Sequence, residues 1–165
     1  MKIFIRNTII LVGLIVLDQL LKIWVFTERF FVDLGIVSFH YVRNTGASFG
    51  ILQGQNALLA WISVIVLGLI MMHLDKVKKE HEYPVLLLVA GLLGNLIDRV
   101  FRGFVIDFID LKFWPVFNLA DSLIVIGVIW LGIVLIISDF KERKEEKLIK
   151  KINRKNKKIS KKKKK

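Results

Sequence analysis

Two apolar segments of the chain each contain an asparagine and an aspartate three residues apart. Asn95 and Asp98 lie in GLLGNLIDRV, and Asn118 and Asp121 open FNLADSLIVIGVIWLGIVLIISD. Residues three apart share one face of a helix, so each amide can lie beside its carboxylate. Two carboxylates held together at low dielectric cannot both ionise easily and therefore share a proton. One can then activate water while the other protonates a carbonyl or a leaving amine.

A further carboxylate, Asp107, follows Asp98 by nine residues. At ~1.5 Å per residue, Asp98 lies about 20 Å from the start of its helical segment, and the break at Gly103 keeps Asp107 near the same depth. By the same rise, Asp121 lies about 5 Å inside its own segment. The three carboxylates should therefore converge near one membrane surface. The residues alone leave open whether Asp98 or Asp107 is the partner of Asp121.

Each of these polar residues also has a structural interpretation. Asn118 can cap a helix whose positive end favours Asp121. Asp18 and Lys22, four residues apart, can form a buried pair that fixes helix packing, and Arg99 can extend to the interface. The serines have no His or Lys partner at a recognisable spacing, cysteine is absent and the three histidines are far apart. The sequence therefore predicts neither a metal nor a cofactor.

The elements that must position these groups are apolar helices. Hydrophobic residues make up 55% of the chain, and the mean hydropathy is +0.57. Four apolar runs, at about 8–26, 57–74, 84–101 and 118–138, each approach the ~20 residues that span a bilayer. A cleaved signal peptide is not indicated for the first run, because Asp18 interrupts it and no small-residue cleavage site follows. The pattern predicts a mostly α membrane protein with four transmembrane helices.

The loops between these runs add a small β-rich region. The stretch FFVDLGIVSFHYV, in the first long loop, is rich in β-branched and aromatic residues and predicts short strands. Asn44, Gly46 and Gly50 then mark turns. In the second loop, Trp114 and Phe117 are expected to be interfacial anchors. Both loops should lie on the extracytoplasmic side.

Charge in the short loops predicts the orientation. The N-terminus, the loop between runs two and three, and the C-terminal tail are rich in Lys and Arg, so both termini should be cytoplasmic. We expect residues 1–140 to form the membrane domain and residues 141–165 to form a basic, disordered cytoplasmic tail attracted to anionic lipid. No aromatic residue is interleaved in KINRKNKKISKKKKK, so nucleic acid is not a predicted partner.

Five stretches of the chain resemble the lipoprotein signal peptidases, the signal peptidase II family. The resemblance covers the four-helix body and leaves out the lysine-rich tail. In chain order the stretches are DQLLK (18–22), RNTGASFG (43–50), GNLIDR (94–99), GFVIDF (103–108) and FNLAD (117–121).

The resemblance implies a membrane-embedded aspartic endopeptidase of the bacterial plasma membrane. Its substrate would be a prolipoprotein, cut before a cysteine that carries diacylglycerol. The implied catalytic pair is Asp107 and Asp121, near the outer face. The implied supporting residues are Asp18, Lys22, Asn44, Gly46, Asn95, Asp98, Arg99 and Asn118. Membrane lipids are expected partners, and a monomer without a cofactor is expected.

Two features depart from the family pattern, and two other functions stay open. Only 14 residues separate Asp107 from Asp121, so any flap over the site should be small, and the tail is longer than the fold requires. Intramembrane charges are also found in small transporters, although transporters are often built from repeats and none is evident here. The third interpretation is a scaffold whose polar residues only hold helices together.

Overall fold

The computed structural model describes residues 2–47 and 51–163. Within them lie four helices, α1 (Lys2–Glu28), α2 (Asn56–Met72), α3 (Glu82–Phe101) and α4 (Leu119–Lys163). By length and composition, three helical segments can cross a membrane, Ile5–Glu28, Lys79–Phe101 and Leu119–Lys147. Helix α2 is apolar and has 17 residues, the short end of the range for a span. The predicted four-helix membrane architecture is confirmed.

Several polar side chains within the apolar segments of these helices are buried, and many large apolar ones are exposed. Asp18, Lys22 and Asp98 each have 0% exposure, whereas Ile9 and Trp61 are each 66% exposed. This distribution suits a lipid solvent, in which a charge is costly unless it is paired inside the protein.

A small antiparallel sheet connects the helices at one end. Its strands are β1 (Phe31–Asp33), β2 (Ser38–Asn44) and β3 (Val105–Asp110), in the order β1-β2-β3. The first loop thus contains two strands, as predicted. The second loop adds a third strand, β3, which the sequence did not predict.

Alternation along β3 gives the sheet two different faces. Ile106 and Phe108 are buried with Val25 of α1 in a small apolar core. Asp107 lies between them in the chain, so its side chain points to the opposite face. Strand pairing aligns Val42 with Asp107. The core therefore fixes the face on which the Asp107 carboxylate lies.

Two expectations from the sequence differ from the structure or fall outside it. Helix α4 continues through Lys163, so residues 141–163 are helical where the sequence predicted disorder. Ion pairs four residues apart, Asp139 with Arg143 and Glu146 with Lys150, give this segment local helical support. By backbone contacts the chain divides into two compact units, residues 1–129 and 130–165. The turn predicted at Gly50, and residues 48–50 of RNTGASFG, lie outside the described residues.

Candidate active site

Asp107 is a buried carboxylate held by two amides. Its side chain is 1% exposed. One oxygen accepts a hydrogen bond from Asn44 Nδ2 at 2.7 Å, and the other accepts one from Asn118 Nδ2 at 2.6 Å. Asn44 is the last residue of β2, and its own Oδ1 accepts a bond from the Gly46 backbone N–H at 2.9 Å. The turn after β2 therefore orients the amide that contacts Asp107.

Asp121 is tied to Asn118 by a reciprocal helix cap. The Asp121 backbone N–H donates to Asn118 Oδ1 at 2.9 Å, and Asp121 Oδ2 accepts a bond from the Asn118 backbone N–H at 3.1 Å. This is the capping-box arrangement, in which a side chain before the helix and one in its first turn satisfy each other's free N–H groups. The capping interpretation of Asn118 is therefore correct, and the same side chain also contacts Asp107.

Asn95 connects Asp121 to the interior of the helix bundle. Its Nδ2 donates to Asp121 Oδ1 at 2.7 Å. Its Oδ1 accepts hydrogen bonds from Asn118 Nδ2 at 3.1 Å and from Lys22 Nζ at 3.0 Å. Because two donors face the amide oxygen, the amide nitrogen must point at Asp121.

Asp98 belongs to a separate ion network below the pair. Its carboxylate lies 3.0 Å from Lys22 Nζ, also contacts Arg102, and accepts a bond from the Ile106 backbone N–H at 3.2 Å. Lys22 in turn lies 2.8 Å from Asp18, whose second oxygen accepts the backbone N–H of a residue in α4. Both Asp98 oxygens are thus occupied by groups that hold α1, α3 and the sheet together.

A cavity of about 190 Å³ lies against the two other carboxylates. Asp98 is absent from the residues that line it among those the structure describes. Arg99 lines this cavity, and its buried Nε has no hydrogen-bond partner within the described part of the chain. The lining residues are Asn44, Gly46, Ala47, Ser63, Leu92, Asn95, Arg99, Val105, Asp107, Val116, Asp121 and Ile124.

Burial also changes the acidity of the site. Loss of solvent raises the pKa of Asp107 from 3.8 to about 7, and the negative charge of nearby Asp121 adds to this rise. The amide donors from Asn44 and Asn118 act in the opposite direction. A carboxyl group with this pKa can hold a proton at neutral pH and can also release it. In residues 2–47 and 51–163, no group of three His, Asp or Glu side chains is placed to hold a metal ion.

Comparison with known proteins identifies the family. Residues 10–137 match the family model described as signal peptidase (SPase) II. The chain belongs to the signal peptidase II family.

Relatives and solved structures agree with this assignment. A lipoprotein signal peptidase of Caldicellulosiruptor bescii is 41% identical over 150 residues, which cover 87% of this chain and 96% of the relative. One of Clostridioides difficile is 38% identical and covers 82% of this chain and 97% of the relative. A solved bacterial membrane enzyme, determined by the in meso method, superposes with a TM-score of 0.76 at 33% identity, covering 81% of this chain and 89% of that one.

For this member of the signal peptidase II family, the structure separates the predicted site residues into three groups. Six line the cavity, namely Asn44, Gly46, Asn95, Arg99, Asp107 and Asp121. Asn118 donates to both carboxylates, to Asp107 through its side-chain amide and to Asp121 through its backbone N–H. Asp18, Lys22 and Asp98 form the ion network.

Besides apolar residues that line the cavity, the polar residues Arg102, Gln19 and Ser63 lie near the site and were not among the predicted site residues. Arg102 contacts Asp98, and its spacing of four residues on a helix could have indicated the pair. Gln19 accepts a bond from Arg102 at 2.8 Å and extends the same network. Ser63 of α2 lines the cavity while its hydroxyl donates to the Leu59 carbonyl at 3.0 Å. The sequence distinguished Ser63 only as a polar residue within an otherwise apolar run.

Proposed function

We propose that the protein is an aspartic endopeptidase that removes signal peptides from bacterial prolipoproteins, with Asp107 and Asp121 as the catalytic pair. The observation that carries this proposal is the shared Asn118, which contacts both carboxylates where they border one cavity. Membership in the signal peptidase II family supports the substrate class. We further propose that the cut falls before a cysteine that carries diacylglycerol.

The charges around the pair support a single shared proton. Three cations and four carboxylates lie in the site and the ion network beside it, so one proton makes the set neutral if all other groups are charged. The cations are Lys22, Arg99 and Arg102, and the carboxylates are Asp18, Asp98, Asp107 and Asp121. A neutral set is favoured because an unbalanced charge is costly away from water.

This protonation state fits acid–base hydrolysis. The ionised carboxylate takes a proton from water as the water oxygen attacks the peptide carbonyl carbon, and the protonated carboxyl supports the carbonyl oxygen. The carboxyl group that received the proton from water then gives it to the amide nitrogen as the bond between nitrogen and carbon breaks. This step releases a new N-terminus and a carboxylic acid. Asn44, Asn95 and Asn118 hold the two carboxylates in place throughout. Arg99, with its unpaired Nε at the cavity, is positioned to bind a peptide carbonyl oxygen.

The remaining residues have supporting roles in this proposal. Asp18, Lys22 and Asp98 join α1 to α3 and α4, and so fix the helices that present Asn95 and Asp121. Gly46 lets the chain turn closely beside Asn44, since a Cβ there would lie 2.8 Å from the Ile51 carbonyl oxygen.

The proposed location is the bacterial plasma membrane, with the site near its outer face and both termini in the cytoplasm. The excess of Lys and Arg at the termini supports this orientation. In this setting the substrate reaches the cavity from the lipid through its diacylglyceryl group. We further propose that the protein acts as a monomer.

Purified protein tests the proposal directly. It should cleave a diacylglyceryl-modified prolipoprotein peptide, and Asp107→Asn and Asp121→Asn should each abolish cleavage without changing helix content. The double variant should be no worse than either single one, because residues that act as a unit give non-additive losses. Asp98→Asn is the matched control, and it should be impaired but retain measurable turnover. Loss of turnover in Asp98→Asn, with turnover retained in Asp107→Asn, would mean that the pair is Asp98 with Asp121.

A further inference from the structure

One end of the sheet is formed by the turn after β1 and the segment after β3, and it points away from the carboxylate pair. Asp33 pairs with Ser38, and Ser38 pairs with Asp110, so the turn after β1 and the segment after β3 lie together at this end. Asp107 pairs with Val42 toward the other end. Along β3, Asp110 lies three residues beyond Asp107, a separation of about 10 Å.

Large apolar side chains are exposed at this end of the sheet, which we call the sheet tip and define as Leu34, Ile36, Phe113 and Trp114. Leu34 is 65% exposed and Ile36 79% exposed, both in the turn after β1. Phe113 is 78% exposed and Trp114 51% exposed, both after β3. Four large exposed apolar side chains are thus gathered on two loops that an ion pair joins, and a gathering of this kind on a protein surface marks an interaction site.

Polar groups at the base of the sheet tip are satisfied within the protein. The Asp33 carboxylate accepts the Gly35 backbone N–H at 2.8 Å, and Asp110 accepts the Lys112 backbone N–H at 2.7 Å. Lys112 Nζ lies 3.2 Å from Asp33, so an ion pair joins the two loops. Backbone at membrane depth must have its polar groups paired internally. These bonds meet that requirement for several groups of the two loops and also hold the loops against each other.

The sheet tip lies within reach of lipid. Helix α1 ends at Glu28, and β1 begins at Phe31. Trp114 lies five residues before Leu119, where α4 begins. Both helices contain candidate membrane spans. A loop tethered by short connections to two spans is confined to the region next to the membrane surface, where Trp and other aromatic residues are enriched.

We propose that the sheet tip inserts into the boundary between headgroups and acyl chains, in the leaflet at which α1 ends and α4 begins. The occupant of this surface is membrane lipid, because the four side chains are apolar, the neighbouring Lys112 is paired with Asp33, and short connections join the loops to two spans. Insertion anchors the sheet at this end, so that Asp107 keeps a fixed depth relative to the bilayer. This inference does not depend on the proposed peptidase reaction.

The absence of cysteine makes a direct test simple. Ile36→Cys and Phe113→Cys can each carry a single environment-sensitive fluorophore on the full-length protein in phospholipid vesicles. Both labels should emit at shorter wavelength than in water. Lipids with a spin label near the headgroup should quench them at least twofold more than lipids labelled deep in the chain. Lys144→Cys, an exposed position beyond the apolar part of α4, is the matched control and should be quenched only by an aqueous quencher.

Two results would overturn the proposal. Quenching of both tip labels by aqueous iodide, with no effect of the spin-labelled lipids, would place the sheet tip in water. Self-quenching that increases with the protein-to-lipid ratio, without lipid quenching, would assign the surface to contact between copies of the chain. Because the readout is fluorescence, neither result bears on whether the protein cleaves prolipoproteins.

Discussion

At the residue scale, Asn118 has two roles that can be tested apart. It caps α4 through its amide oxygen and donates its amide nitrogen to Asp107. Asn118→Ala removes both functions, so we expect a loss of about 1 kcal/mol of stability together with a much larger loss of turnover. Asn118→Ser keeps a capping oxygen but lacks the amide donor. It should regain the thermal stability of the parent while turnover stays low, as measured by melting temperature and peptide cleavage on the same samples. Full activity in Asn118→Ser would leave capping as the only role of this residue.

The carboxylate pair also predicts a pH dependence. The pKa of Asp107 lies at about 7, above its ordinary value of 3.8, so its proton is held below neutral pH and lost as the pH rises through 7. If that proton serves catalysis, kcat/KM should fall on the alkaline side of about pH 7. Arg99→Gln should move this alkaline limb to higher pH, because the charge of Arg99 favours the ionised pair. A pH–rate profile of both proteins measures the shift, and an unchanged limb in Arg99→Gln would contradict the electrostatic account.

The polar residues of the site could be predicted from the sequence, but which two carboxylates form the pair could not. Carboxylates in apolar segments are rare enough to be recognised directly, and the spacing of Asn118 and Asp121 predicted their shared face. The register of β2 with β3 brings Asn44 to Asp107, which supports the proposal that Asp107 and not Asp98 is the partner of Asp121. Register depends on contacts between distant parts of the chain, so the sequence alone left the choice to a family resemblance.

At the element scale, the packing of α3 on α4 depends on glycine. A Cβ on Gly91 would lie 2.3 Å from the Ala120 carbonyl oxygen and 2.7 Å from Ile124 Cγ1. Gly91→Ala should therefore push apart the two helices that carry Asn95 and Asp121. We expect a loss of stability on the order of 1–3 kcal/mol, typical of overpacking, and a loss of turnover.

Gly68→Ala is the matched control for this prediction. A Cβ on Gly68 meets nothing within 4 Å, so that variant should unfold at the same temperature as the parent or slightly higher. Thermal unfolding in detergent, followed by circular dichroism, compares the two variants. Equal melting temperatures would show that α3 and α4 can separate without cost.

The four helices could be predicted from the sequence, whereas the third strand could not. Long apolar runs predicted all four helices, because only a helix of that length satisfies its own backbone in lipid. Strand β3 is 6 residues long, and a short apolar run of this kind does not distinguish a strand from part of a helix. The continuation of α4 past residue 140 was missed because a basic composition was taken as disorder, although Lys and Glu are good helix formers.

At the scale of the whole molecule, the fold places polar groups where a soluble protein places apolar ones. Buried charges and amides lie at the meeting point of α1, α3, α4 and the sheet, beside a small apolar core, while large apolar side chains cover the outside. A bilayer makes this stable, because paired charges inside the protein are favoured over charges in hydrocarbon. The same arrangement supplies the low dielectric that two neighbouring carboxylates need in order to share a proton.

The basic end of the chain lies outside the residues that form the cavity. All residues that line the cavity or hold its carboxylates lie within residues 1–129, which form one compact unit. A chain that ends at Lys141 keeps this unit and the apolar part of α4, so it should insert, fold and cleave at the rate of the full-length protein in neutral lipid. The removed residues carry most of the net charge of +12, and each basic residue near an anionic surface is worth about 1 kcal/mol of attraction. Truncation should therefore weaken adsorption only where the vesicles contain anionic lipid. Vesicles with and without phosphatidylglycerol, assayed for bound protein and for cleavage, separate the two effects. A truncated protein that folds but no longer cleaves in neutral lipid would show that the tail contributes to the site.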